Sequence, residues 1–134
     1  MTQTRSVYAV LGALAIWAAP AAAQTSKIER GKYLAEEVAH CQVCHTRRLA
    51  GGELDRTAWL KGGVADISGA GLAGRAPDIT SGGEIWKVWR EDGMSRYLKT
   101  GKDPAGKSPG AHMPPYQLRP DDAEAVTSHL KSLK

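Results

Sequence analysis

The residues with the clearest chemistry in this chain are Cys41, Cys44 and His45, in the order CQVCH. The two cysteines are the only ones present. Spacing of three and four residues puts all three side chains on one side of a helical turn. Three chemistries use such a set. A redox disulfide of the C-x-x-C type belongs at the start of a helix that follows a strand, whereas here the pair ends a helical run. A structural zinc ion needs four ligands. Cys41, Cys44 and two of His40, His45, His112 and His129 could supply them, but no second close pair exists. The third chemistry is covalent attachment of haem, for which C-x-x-C-H is the signature. Each thiol then forms a thioether to one haem vinyl group, and His45 ligates the iron. This reading uses every reactive residue of the stretch.

Iron held by His45 has an opposite face. A methionine sulfur there raises the reduction potential. Met94 lies in a helical run, GMSRYLKTG, where methionine usually packs in a core. Met113 lies in GAHMPPY, outside helical register and stiffened by Pro114 and Pro115. Met113 is the expected second axial ligand and His112 the alternative. An open position would mean ligand binding or catalysis at iron instead.

The elements that must position these groups can be read in outline. Arg5, an apolar run from Val7 to Ala19, Pro20 and the small residues Ala21 and Ala23 follow the order of a secretory signal peptide. The run is about 13 residues, short of the roughly 20 that span a bilayer. Residues 1–23 are therefore expected to be a cleaved leader and 24–134 the functional domain. Export also suits thioether attachment, an extracytoplasmic chemistry. The formal net charge is +4, one less without Arg5, and no block of like charge suggests a nucleic-acid partner. An acidic protein surface is the more natural partner.

Three helices are expected. The first starts at Ser26, paired with Glu29 as a capping box, and leads through Gly31, Leu34, Ala35 and Val38 into Cys41. Gly31 suits a close approach of another helix. The second runs from about Ile85 to Thr100, stopped by Gly101, with Gly93 as its weak point. The third begins at Pro120, with Asp121 and Asp122 at its positive end and Lys131 near its negative end. Residues 46–83 hold nine of the fifteen glycines and show no period. They read as long loops without strands. The chain has no Phe, so its own core is thin and a cofactor is expected to fill it.

The segments RGKYLAEEVAHCQVCHTRR (30–48), LKGG (60–63), APDIT (76–80), WREDGMSRYLKTG (89–101) and HMPPYQL (112–118), with the last helix, resemble a monohaem class I cytochrome c. More narrowly, they are similar to the cytochrome c modules of bacterial periplasmic alcohol and gluconate-type dehydrogenases. The resemblance implies an all-α fold of three to five helices, with long Gly-rich loops, wrapped round one covalent haem c. It implies that the first and last helices cross closely, and that Pro77, Ile79, Thr80 and Trp89 line the haem. Two features depart from it: Arg119 stands where a capping Ser, Thr or Asp is usual, and the loop at 67–75 has no counterpart.

The function expected is a periplasmic one-electron carrier with Cys41 and Cys44 as thioether anchors and His45 and Met113 as axial ligands. It would not be an enzyme by itself. Its partners would be a periplasmic dehydrogenase as donor and a terminal oxidase or another cytochrome as acceptor. Two alternatives stand beside it. One is a dedicated cytochrome subunit of an oxidoreductase complex. The other is a five-coordinate haem sensor or catalyst.

Overall fold

The computed structural model describes residues 19–67, 72–108 and 113–134. Most of residues 1–23 thus lies outside the described residues, as do His112 and positions 68–71 of the 67–75 loop. Helix α1 (Ala19–Lys32) continues without a break into a wider π-helical turn (Tyr33–Val38). It starts upstream of Ser26, so Ser26 lies inside the helix and not at its cap. In the wide turn the Ala39 N–H donates to the Leu34 carbonyl at 2.9 Å, five residues back instead of four. Short α2 (Cys41–His45) follows, then a 3₁₀ turn (Arg56–Ala58). Helices α3 (Glu84–Thr100) and α4 (Pro120–Ser132) complete the helical frame. No helix among the described residues is long and apolar enough to cross a membrane.

The helical fold follows the expectation, but residues 46–83 also contain an antiparallel hairpin. Strand β1 (Gly63–Ile67) pairs with β2 (Leu72–Ala76), in the register Gly63 with Ala76 and Ile67 with Leu72. Among the glycines read as loop signals, Gly62 and Gly63 mark close backbone contacts. A Cβ on Gly63 would come 2.8 Å from the Arg47 backbone, and one on Gly62 would come 2.9 Å from the Asp78 backbone nitrogen.

Helix α1 packs across α4. A Cβ on Gly31 would stand 1.9 Å from the Ala125 carbonyl oxygen, so only glycine fits the crossing. Lys27–Glu124 (2.8 Å) and Arg30–Asp122 (3.0 Å) pair along the rim. Such exposed pairs contribute at most about 1 kcal/mol each. Pro120 opens α4, its first turn is acidic, and Ala123, Val126 and Leu130 on one face are buried. Arg119 precedes it and makes no side-chain cap bond. Helix α3 ends on Gly101 at φ 65°, as expected, but its break is at Arg90 (φ 55°, ψ −172°) and not at Gly93. Gly93 instead lets Pro104 lie on the helix, within 3.0 Å of where a Cβ would be.

Candidate functional site

Among the described residues, three with left-handed φ are not glycine, and one of them, His40 (φ 51°), stands directly before Cys41. It ends the wide turn and starts α2 in a new direction. The Glu36 carbonyl, inside the wide turn, accepts from two side chains, His40 Nδ1 (3.1 Å) and Gln42 Nε2 (2.9 Å). Thus the two residues flanking Cys41 are tied to one oxygen.

On α2, Cys41 and His45 are buried and Cys44 is half-buried, and the two cysteines are not joined in a disulfide. Burial pushes the Cys41 thiol up to about 11. A thioredoxin-like nucleophile has its thiol shifted the other way, so Cys41 does not have that environment. Among the described residues no three His, Cys, Asp or Glu side chains converge as a metal cluster.

His45 is fixed by one bond. Its Nδ1 lies 2.8 Å from the Pro77 carbonyl, which can only accept, so Nδ1 carries the proton. The Nε2 lone pair is then the one that can bind a metal. Burial holds His45 below its ordinary pKa, against the raising effects of the Pro77 carbonyl and Asp78. The ring is therefore neutral at physiological pH, the form that acts as a ligand.

The segment that carries the Pro77 carbonyl is in turn held from three sides. The Ile79 N–H donates to the Leu60 carbonyl (3.1 Å), and the Leu60 N–H donates to Thr46 Oγ1 (2.9 Å), one residue after His45. Asp78 Oδ1 accepts from Thr80 N–H (2.8 Å) and Thr80 O–H (2.7 Å). The Trp86 indole donates to the Ile79 carbonyl at 2.7 Å. Segment 77–80 is therefore a rigid ledge against α2, and APDIT is its sequence. Pro77 meets His45 through its carbonyl. Ile79 and Thr80 are buried behind it.

Asp55 locks the chain just after α2. Its carboxylate accepts from Thr57 N–H (2.8 Å), Thr57 O–H (2.6 Å) and Arg47 Nε (2.7 Å). The Thr57 bonds first, then Arg47, lower its pKa to about 2. Its contribution to stability is present in full above about pH 4, where an unfolded Asp titrates. It is lost as pH falls through about 2. An acid-unfolding titration of Asp55→Asn should therefore lack part of the wild-type loss between those limits; identical acid limbs would contradict the assignment.

Met94 is buried in the core, as expected. Met113 is half-buried and packs against that core. Trp89 is half-buried against Tyr97, with ring centroids 5.3 Å apart; the tryptophan bonded to the ledge is Trp86. Three residues not singled out in the sequence belong here. Trp86 is one, and a buried indole must find an acceptor. Tyr116 donates to the Ala39 carbonyl (3.2 Å), beside the attachment turn. Burial, with Cys41, Tyr97 and Cys44 nearby, pushes Tyr116 up to about 12. Tyr97 is the third: its hydroxyl is buried and makes no hydrogen bond among the described residues.

This donor set fits a covalent haem. Two thiols stand at i and i+3, the imidazole is neutral with Nε2 free for a metal, and a thioether lies outside a helix. Tyr116 brings Cys41, Cys44 and the orphaned Tyr97 hydroxyl into one neighbourhood. A family model described as cytochrome c matches residues 28–134. The diheme cytochrome c-type protein of Cereibacter sphaeroides is 34% identical over 108 residues, covering 77% of this chain and 34% of that protein. The fructose dehydrogenase cytochrome subunit of Gluconobacter japonicus is 36% identical over 110 residues, 78% of this chain and 21% of the subunit. The gluconate 2-dehydrogenase cytochrome c subunit of Pantoea cypripedii is 28% identical over 125 residues, 85% of this chain and 28% of the subunit. The chain thus spans about a third or less of the curated relatives it matches. With the match over almost all of its described residues, the chain belongs to the cytochrome c family.

Proposed function

We propose that this chain carries single electrons through one covalently bound haem c, anchored by Cys41 and Cys44 and ligated axially by His45 Nε2 and Met113 Sδ. The haem iron supplies the Fe(III)/Fe(II) couple; the chain's own residues hold, orient and shield it. The observation that supports the reading most directly is the 2.8 Å bond from His45 Nδ1 to the Pro77 carbonyl. It selects the tautomer, aims Nε2, and makes the imidazole a stronger donor to a metal. The ledge at 77–80 keeps that ring from rotating as the charge on the iron changes. With His45 and Met113 as its ligands the iron would offer no site to a substrate, which supports a carrier and not a catalyst.

The sequence holds one C-x-x-C-H, which supports one haem per chain. The leader-like segment and the extracytoplasmic chemistry of thioether attachment support a periplasmic location. The named fructose and gluconate dehydrogenase relatives support a dehydrogenase as electron donor. A terminal oxidase or a second cytochrome would be the acceptor. Arg47, Arg48, Arg56 and Lys61, all exposed near α2, suit a small, salt-sensitive docking surface.

The test is an absorption spectrum of the exported protein, oxidised and reduced, for wild type and Met113→Ala. Wild type should show a low-spin covalent haem with the weak far-red band of iron–methionine ligation. Met113→Ala should lose that band and bind carbon monoxide when reduced. A high-spin wild type, or spectra unchanged by the substitution, would remove Met113 as ligand and favour a sensor or catalyst. Absence of haem would remove the proposal entirely.

A further inference from the structure

Glu36 and His129 form a buried pair that the electron-transfer site does not need. They come from the wide turn and α4, 93 residues apart, with His129 Nε2 at 3.1 Å from Glu36 Oε1. Glu36 is 8% and His129 3% exposed. An apolar pair would fill this helix crossing at lower desolvation cost. The crossing is also close: a Cβ on Gly31 would meet both the Ala125 backbone and the His129 Cβ.

The pair is wired to the attachment site at one end. The carboxylate of Glu36 holds His129, and its carbonyl holds the side chains of His40 and Gln42, which flank Cys41. Glu36 is close enough to Cys41 to act on its sulfur electrostatically. A charge change at the pair is therefore felt where the haem is attached.

We propose that Glu36 and His129 form a proton-binding site coupled to the oxidation state of the haem. Electron uptake at iron raises the proton affinity of His129, so that between the two titration points a fraction of a solvent proton is taken up with each electron and leaves with it. This rests on the haem reading above. In the unprotonated pair, His129 Nε2–H donates to the carboxylate, and the pair carries one negative charge. Adding a proton at Nδ1 makes it neutral overall. The electron, added by the donor, makes the haem site one charge more negative, and the proton offsets it. The unprotonated pair favours Fe(III), and the protonated pair favours Fe(II).

Other groups set the balance. Burial lowers the pKa of His129, Glu36 raises it, and Lys32 on α1 lowers it. From α3, Glu91 engages Lys131, two residues on from His129, in an exposed pair that leaves the net charge there near zero. His129 lies in the last turn of α4, where the helix dipole favours a cation. Burial, with Lys32, outweighs Glu36, and the ring is held below its ordinary pKa.

The experiment is an NMR titration of the His129 ring in the haem-loaded protein, oxidised and reduced, with midpoint potentials recorded across the same pH range. His129 should titrate at higher pH in the reduced protein, by about one unit, or tenfold in proton affinity. By reciprocity the potential should fall as pH rises through that range. The fall should disappear in His129→Gln, which keeps a donor to Glu36. Equal titration in both oxidation states overturns the inference while leaving the haem reading intact. So does a His129→Gln protein with the wild-type pH profile. If that variant fails to fold, the wild-type titration alone decides. A chain without covalent haem overturns both.

Discussion

Gly31→Ala should destabilise the protein by about 3 kcal/mol, the upper end of what overpacking costs. Helix propensity alone gives the opposite sign, because Ala is better than Gly by about 1 kcal/mol in a helix interior. Packing decides against it. The new methyl would sit 1.9 Å from the Ala125 carbonyl oxygen and 2.4 Å from its carbon. Both are main-chain atoms of α4, with no rotamer to move. The helices must separate by more than an ångström, and the buried faces of Leu34, Ala35, Val126 and Leu130 would lose contact together. Chemical denaturation of the haem-loaded variant against wild type measures this. A midpoint equal to or above that of wild type would show that α1 and α4 slide past one another freely.

Leu60→Ala should cost about 3–4 kcal/mol, within the range for truncating a large buried aliphatic side chain. Leu60 is 0% exposed and holds an unusual left-handed backbone at φ 59°. Its N–H and carbonyl tie Thr46 to Ile79, so it joins α2 to the ledge that carries Pro77. The loss should therefore have a local signature. His45 should become more exposed to ligand exchange, seen as faster imidazole binding to the ferric protein. A variant that is destabilised but exchanges ligand no faster would assign Leu60 to the core alone.

What the sequence made legible follows from how local each cause is. The Pro-capped last helix and the Gly101 stop are determined within a few residues, and the fold has them as read; CQVCH, read as the end of the first helical run, is a separate short helix set off by His40. Gly31 was legible because a glycine at a helical position has few other uses. The hairpin was not legible. Its strands are five residues each; β2 is LAGRA with no β-branched residue, and in β1, GVADI, Val64 and Ile67 stand three apart, out of alternation, so pairing and neighbouring backbone define them. The break in α3 at Arg90 was missed because arginine carries no mark of positive φ, whereas Gly93 does. Glu36 and His129 each look like an ordinary polar helix residue. Only the crossing of α1 over α4 makes them partners, and no local pattern encodes a contact across 93 residues.

The wide turn at Tyr33–Val38 works as a phase adjustment. Each residue of an α-helix rotates the chain by about 100°. The extra residue in this turn sets the angle between the face that meets α4 and the face that presents Cys41. A chain one residue shorter would close the turn as ordinary α-helix, with Ala35 and Glu36 still facing α4. The attachment helix would then be swung by about that angle, and its two sulfurs and His45 would address a different side of the molecule.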